Sequence, residues 1–366
     1  MRLVTLILVA TLFSACGHRA AAPTVTPSAT ETAVRLLPLA GGAADVNEEI
    51  SGLAWHGDTL LLLPERFGLG ETLTRRFVPG PQRLWALDRG AVERAIAGDA
   101  TPLVPRPIPV TPDVAAWRPG EIDGFEAITF DGDTAWLLVE TNQNAAGDNP
   151  GWLVRGELTA SGLALDLDGA RAIPRPTSHG NRGFESVIPW RGGACAIYEL
   201  NSPALVPHPR ARCFDRDLAP TVELPFPQLA WRVTDATLPD ADGRLWIINY
   251  RYPKSDRCDV PLREEALARR YGTGPTHARF EQVERLLELE LTDDALRLVD
   301  RAPIQLALPA DWQDRGARNW EGIARAPGGV LVVTDEYPGP TTLLAFVALP
   351  SAPPVGEENA APITNP

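Results

Sequence analysis

A fifteen-residue unit occurs five times in this chain, and it constrains the fold more than any other feature. The copies are SGLAWHGDTLLLLPE (51–65), EAITFDGDTAWLLVE (126–140), ESVIPWRGGACAIYE (185–199), DATLPDADGRLWIIN (235–249) and EGIARAPGGVLVVTD (321–335). Each starts on an acidic or small residue, holds two apolar runs about a tight turn, and ends on an acid or its amide. Two runs of about six residues around a turn form a β-hairpin. Repetition at a fixed spacing is the mark of a repeat architecture. The expectation is an all-β chain, a single β-propeller with one hairpin at the inner side of each blade. Five copies predict five blades. A sixth would have to come from the long interval between 235 and 321, where no sixth copy occurs.

Further strand-like runs follow each copy: 83–90, then 152–158 with 163–173, then 210–216, then 285–291 with 296–302, and 342–349. AVRLLPLA (33–40) is expected to complete the last blade as its outer strand, bringing both ends of the chain into one blade. DVPLREEALARRYG (259–272) reads as a short helical insertion capped by Asp259. Segments 67–81 and 101–120 read as excursions over one face. With 366 residues, 44% of them hydrophobic, the chain can bury a large core. Its 36 prolines and 31 glycines suit many short strands joined by turns.

The net charge of −13 disfavours nucleic acid and anionic lipid surfaces as partners. The chain is expected to be a monomer. Residues 1–16 read as a targeting segment: Arg2, an apolar stretch over 3–13, then Ser14-Ala15-Cys16. This resembles a bacterial lipoprotein signal in which Cys16 is lipidated, with Phe13 standing where leucine is usual. Gly17, rather than aspartate, after Cys16 points to the outer membrane if the cell is Gram-negative. Contact with a membrane is then only through the lipid. Residues 17–32 read as a flexible tether, 33–350 as the propeller and 351–366 as a disordered tail. Cys195 and Cys213 fall on successive predicted strands and are the expected disulfide, since export permits one.

The acidic ends carry the functional argument. The first residue of a hairpin and its last lie at the same end. Since inner strands line the propeller channel, Glu65, Glu126, Glu140, Glu185, Glu199, Asp235, Glu321 and Asp335 should converge on one mouth, with Ser51 and Asn249 as the irregular members and Glu49 close by. Carboxylates so crowded repel unless neutralised. Arginine is one neutraliser: Arg182, Arg232 and Arg318 each precede a copy by three residues, and Arg66 and Arg251 follow second strands. A metal ion is the other, and an all-oxygen donor set favours Ca²⁺. SHGNRGF (178–184) lacks the flanking arginine and proline of the histidine acid phosphatase signature, so that reading is rejected.

EISGLAW (49–55), DGFEAITF (123–130), RGFESVIPW (182–190) and NWEGIA (319–324) resemble the bacterial phytase-like family, also called "esterase-like activity of phytase". The acidic ends alone give a weaker likeness to the calcium-dependent apyrase propellers. What the first resemblance implies is an exported phosphoester or ester hydrolase with a small anionic or ester substrate. Glu126, Glu185 or Glu321 would then activate water, and Arg182 and Arg318 would stabilise developing charge. Arg66, Arg232, Arg251 and His179 would hold the substrate, with Ca²⁺ polarising it. The alternative is a non-catalytic surface propeller, with Ca²⁺ or arginine–carboxylate pairs as structural glue.

Overall fold

The computed structural model describes residues 29–66, 82–112, 114, 117–118, 121–142, 149–177, 182–253, 265–309, 317–335 and 339–350. Two short strands come first, β1 (Glu31–Thr32) and β2 (Val34–Leu37). The first group of four follows: β3 (Ile50–His56), β4 (Thr59–Pro64), β5 (Arg83–Asp88) and β6 (Arg106–Thr111). The second is β7 (Ile122–Asp131), β8 (Thr134–Thr141), β9 (Gly151–Thr159) and β10 (Gly162–Ile173). The third is β11 (Phe184–Trp190), β12 (Gly193–Tyr198), β13 (Arg210–Phe214) and β14 (Pro220–Pro225). The fourth holds β15 (Arg232–Ala236), β16 (Arg244–Arg251), β17 (Val283–Leu291), β18 (Leu296–Leu298) and β19 (Ile304–Leu306). The fifth holds β20 (Trp320–Ala326), β21 (Gly329–Thr334) and β22 (Leu344–Ala348).

Every copy of the repeat is an antiparallel hairpin of the first two strands of its group. Tight turns close them. Gly57 and Gly132 take φ of 53° and 59°, a region open to glycine at little cost. The first strands touch in a cycle: β3 meets β7, β7 meets β11, β11 meets β15, β15 meets β20, and β20 returns to β3. The chain is a β-propeller. Hydrophobic clusters lie between successive blades. Leu61 and Leu84 pack with Phe125 and Leu137, for example, and Ile248 and Leu286 with Ile323 and Val332. Each blade thus buries both faces, which is why its inner strands read as nearly continuous apolar runs.

β2 pairs with β22 as the outer strand of the last blade. Glu31 and Thr32, read from sequence as part of the tether, instead pair with Gln305 and Leu306 at the edge of the fourth blade. The excursion over 101–120 contains β6, whose edge joins β10 in parallel and merges the first two blades into one eight-stranded sheet. The run 83–90 is strand only to Asp88 and continues as helix α1 (Arg89–Ile96). Helix α2 (Ala266–Tyr271) lies in the expected insertion. Its N-cap is Glu265, whose carboxylate accepts the Ala268 amide at 2.8 Å, and Asp259 lies outside the described residues. Cys195 and Cys213 are direct cross-strand partners on β12 and β13 and are disulfide-bonded. Among the described residues no helix is long and apolar enough to cross a membrane. Cys16, His179, segment 67–81 and the tail 351–366 lie outside them.

Candidate functional site at the channel mouth

The first residue of every copy sits at the same irregularity. Register shifts occur at Ser51, Glu126, Glu185, Asp235 and Glu321, between the inner strand and its partner. A β-bulge leaves one residue outside the ladder and re-aims its side chain. The repeat therefore encodes a bulge in each blade, and the acid placed there is turned off the regular alternation. Spacing showed where these residues lie, but not that they occupy bulges.

Glu65, Glu126, Glu140, Glu185, Glu199, Glu321 and Asp335 come together, each close enough to act on its neighbours' charge. Glu65, Glu126, Glu140, Glu199 and Asp335 are buried, and Glu185 and Glu321 are half-buried. Burial, and after it the surrounding carboxylates, pushes the carboxyls of Glu65, Glu126, Glu185 and Glu321 well above their ordinary range. Glu140 is pushed up to about 7, burial again outweighing the nearby guanidinium of Arg175.

Asp235 departs from the expected ring. Its carboxylate accepts the amides of Ile323 at 2.8 Å and Ala236 at 2.7 Å, and also that of Leu53. It thus bonds main chain of the fifth and first blades across the channel, and no neighbouring charge figures in its shift. Ser51 plays a similar part, donating its hydroxyl to the Phe125 carbonyl of the next blade. Asn249 donates to the carbonyls of Trp231 and Arg232 at 3.0 and 2.9 Å and accepts from Arg285 Nε at 2.9 Å. The irregular members of the repeat are therefore hydrogen-bonding posts rather than charges.

The arginines divide. Arg66 lies 2.8 Å from Glu49, 2.7 Å from Glu65 and 3.6 Å from Asp123 of the next blade. Burial alone would lower its affinity for the proton, but these carboxylates outweigh it and raise it. Arg182 and Arg232 approach Glu199 at 3.8 and 3.5 Å. Arg251 instead donates to the Glu281 carbonyl at 2.5 Å, and Arg318 lies beside Glu284 of β17. Neither is prominent among the groups that shift the ring acids. Arg175 was not expected; it pairs with Glu140 at 2.7 Å. It lies just past β10, an outer strand, where repeat spacing flags nothing.

The glycines of the DGF and RGF motifs find their reason here. A Cβ on Gly124 would fall 2.5 Å from Glu65 Cγ, and one on Gly183 would fall 2.9 Å from Glu140 Oε1. Each second-strand acid packs against the main chain that opens the next blade, and only glycine leaves room for it.

Carboxylates outnumber guanidinium groups at this mouth. Glu49, Glu65 and Asp335 bring one oxygen each within 4.8 Å of one another. That spacing fits oxygens around an ion with Ca²⁺–oxygen distances of about 2.3–2.6 Å. The all-carboxylate donor set suits a hard cation and not zinc or copper.

No protein-family model matches the chain, and no curated protein matches it in sequence. Among solved structures, one described as belonging to a family of mannoside phosphorylases that contains glycoside hydrolases is 10% identical. It aligns over 89% of this chain and 98% of its own with a TM-score of 0.49. An exo-1,5-α-L-arabinanase from a bovine ruminal metagenomic library is 10% identical, over 84% and 95% of the two chains, with a TM-score of 0.44. A thermostable family-43 glycoside hydrolase is 11% identical, over 85% and 91%, with a TM-score of 0.43. Likeness at this level decides nothing about the chemistry of the mouth.

Proposed function

We propose that the acidic mouth takes up a divalent cation, Ca²⁺ first, and that the chain is a cation-assisted phosphoester or ester hydrolase of the phytase-like kind. The observation that carries the cation reading is the surplus of buried carboxylates over arginines around Glu49, Glu65 and Asp335. Surplus negative charge at low dielectric is relieved either by protons or by a metal. Bound there, the cation would supply Lewis-acid polarisation of a phosphoryl or carbonyl oxygen. The chain's own groups supply the rest. Arg182 and Arg232 would hold an anionic oxygen, and Glu140, with its carboxyl held near neutrality, suits proton transfer from water. Half-buried Glu185 and Glu321 mark the solvent-facing side of the ring.

We infer further that the chain is exported and anchored through Cys16. The Cys195–Cys213 bond supports an oxidising compartment.

A second reading, a non-catalytic propeller locked by ion pairs, draws on Arg66. That side chain already joins Glu49 and Glu65 of the first blade to Asp123 of the second. One experiment separates the readings. Ca²⁺ binding is measured by calorimetry, and hydrolysis of p-nitrophenyl phosphate and p-nitrophenyl acetate is followed with Ca²⁺ and with a chelator. Binding with Ca²⁺-dependent turnover supports the hydrolase. Binding without turnover leaves the structural role, and no binding rules out the cation.

A further inference from the structure

The fourth copy of the repeat ends on Asn249 where three of the other four end on glutamate, yet the junction between the fourth and fifth blades contains a buried carboxylate. It comes from one strand further out. Glu284 on β17 is the cross-strand partner of Tyr250 and is fully buried. Its Oε1 accepts the Trp320 amide at 2.7 Å and its Oε2 the Arg318 amide at 3.0 Å, and the Asn319 amide also bonds it.

At the junction of the first and second blades the corresponding amide, that of Phe125, bonds the main-chain carbonyl of Glu65 at 2.8 Å. Between the fourth and fifth blades a side-chain carboxylate takes this part instead. The segment it holds is strained. Asn319 has φ of 60°, a left-handed conformation that costs a non-glycine residue energy and persists where surrounding contacts over-determine it. Both acids that the fifth blade sends to the mouth hang from this segment. Glu321 follows Trp320 at the bulge. The Asp335 amide bonds the Asn319 carbonyl at 3.1 Å, and Asn319 Nδ2 donates to Asp335 Oδ2 at 3.4 Å.

We propose that Glu284 is a positioning residue, clamping residues 318–320 so that Glu321 and Asp335 point into the mouth. Its relevance to cation uptake rests on the function proposed above; the clamp itself does not. A carboxylate has two acceptor oxygens and no donor, which suits the three main-chain N–H groups that residues 318–320 turn toward it. Burial nonetheless pushes the Glu284 carboxyl up to about 7, against the pull of those amides.

The test compares Glu284→Ala and Glu284→Gln with Leu286→Ala, a fully buried apolar control on the same strand. Calorimetry with Ca²⁺ alone and hydrogen exchange at the Glu321 and Asp335 amides are the readouts, since these amides lie beyond residues 318–320, and that of Asp335 bonds the Asn319 carbonyl. Removing a group that orients metal ligands weakens binding by about 10- to 100-fold. Glu284→Ala should fall in that range, and its two amides should exchange faster than in the control. Glu284→Gln keeps one acceptor oxygen at the same size and should recover part of both effects. Leu286→Ala should lower the melting temperature and leave Ca²⁺ affinity unchanged. Equal loss of affinity in Glu284→Ala and the control overturns the proposal. Where the unsubstituted chain takes up no Ca²⁺, the cation reading falls and exchange decides. Faster exchange in Glu284→Ala than in Leu286→Ala upholds the clamp, and equal exchange overturns it.

Discussion

Stability of this propeller should fall as pH rises through neutrality in the absence of divalent cations, opposite to the usual behaviour of carboxylate-rich proteins. Glu140 and Glu284 are each raised from 4.5 to about 7. A carboxyl that holds its proton more tightly when folded contributes stability below the unfolded pKa and loses it as pH rises through the folded one. The window is therefore about 4.5 to 7. From about pH 5 to pH 8 each carboxyl forfeits about two pKa units, which comes to about 5 kcal/mol for the two together. His277 works the other way. Burial lowers it from 6.5 to about 4, so its stabilisation is present above 6.5 and lost on acidification. Over the same rise it returns about 2 kcal/mol. The net loss is then about 3 kcal/mol, a sizeable part of the 5–15 kcal/mol of a typical domain. The strongly raised Glu65, Glu126, Glu185 and Glu321 add to it with the same sign. The assay is urea unfolding at several pH values in chelator, repeated with Ca²⁺. A free energy that stays flat or climbs from pH 5 to pH 8 in chelator refutes the argument from a desolvated acidic ring.

Glu126→Gln should raise the melting temperature at pH 8 in chelator and shrink the Ca²⁺-induced rise, because the main influences on this carboxyl, burial and neighbouring acids, all oppose ionisation; a lower melting temperature in chelator would count against it. Gly124→Ala should cost about 1–3 kcal/mol in urea unfolding, since its Cβ overlaps Glu65 Cγ, and calorimetry should show weaker Ca²⁺ uptake. Reducing the Cys195–Cys213 bond, which closes a loop of sequence separation 18, should lower unfolding free energy by about 3 kcal/mol. An unchanged urea midpoint in reductant would show that the bond contributes little.

Much of the fold was legible because a propeller is built from local hairpins. The run from Glu126 to Glu140 announces two strands and a turn without reference to the rest of the chain, as do the other copies. The need to close a ring places β2 in the last blade, and there it pairs with β22. Outer strands were harder to see. β6 and β14 each carry two prolines, which weigh against a strand, and most of their positions are exposed. The site divided in the same way. Glu65, Glu126, Glu140, Glu185, Glu199, Glu321 and Asp335 were legible as one group from hairpin geometry together with the expectation that inner strands line one channel. Arg175 and Glu284 were not, since each lies outside the repeat and reaches its partner through the arrangement of strands.

The sequence by itself determined the five hairpins, the end of each hairpin that bears acids, and the excess of carboxylate over arginine in the chain. The first two follow from residue order within fifteen positions, and the third from composition alone. Only the tertiary structure decided which acids crowd one another and which are posts. Asp235 and Glu126 hold equivalent places in the repeat, yet one bonds amides of the fifth and first blades and the other faces acids of its own, the third and the fifth blades. The difference lies in which residues the ring brings opposite each bulge, and such long-range neighbours are fixed by closure of the whole propeller rather than by any local run of sequence.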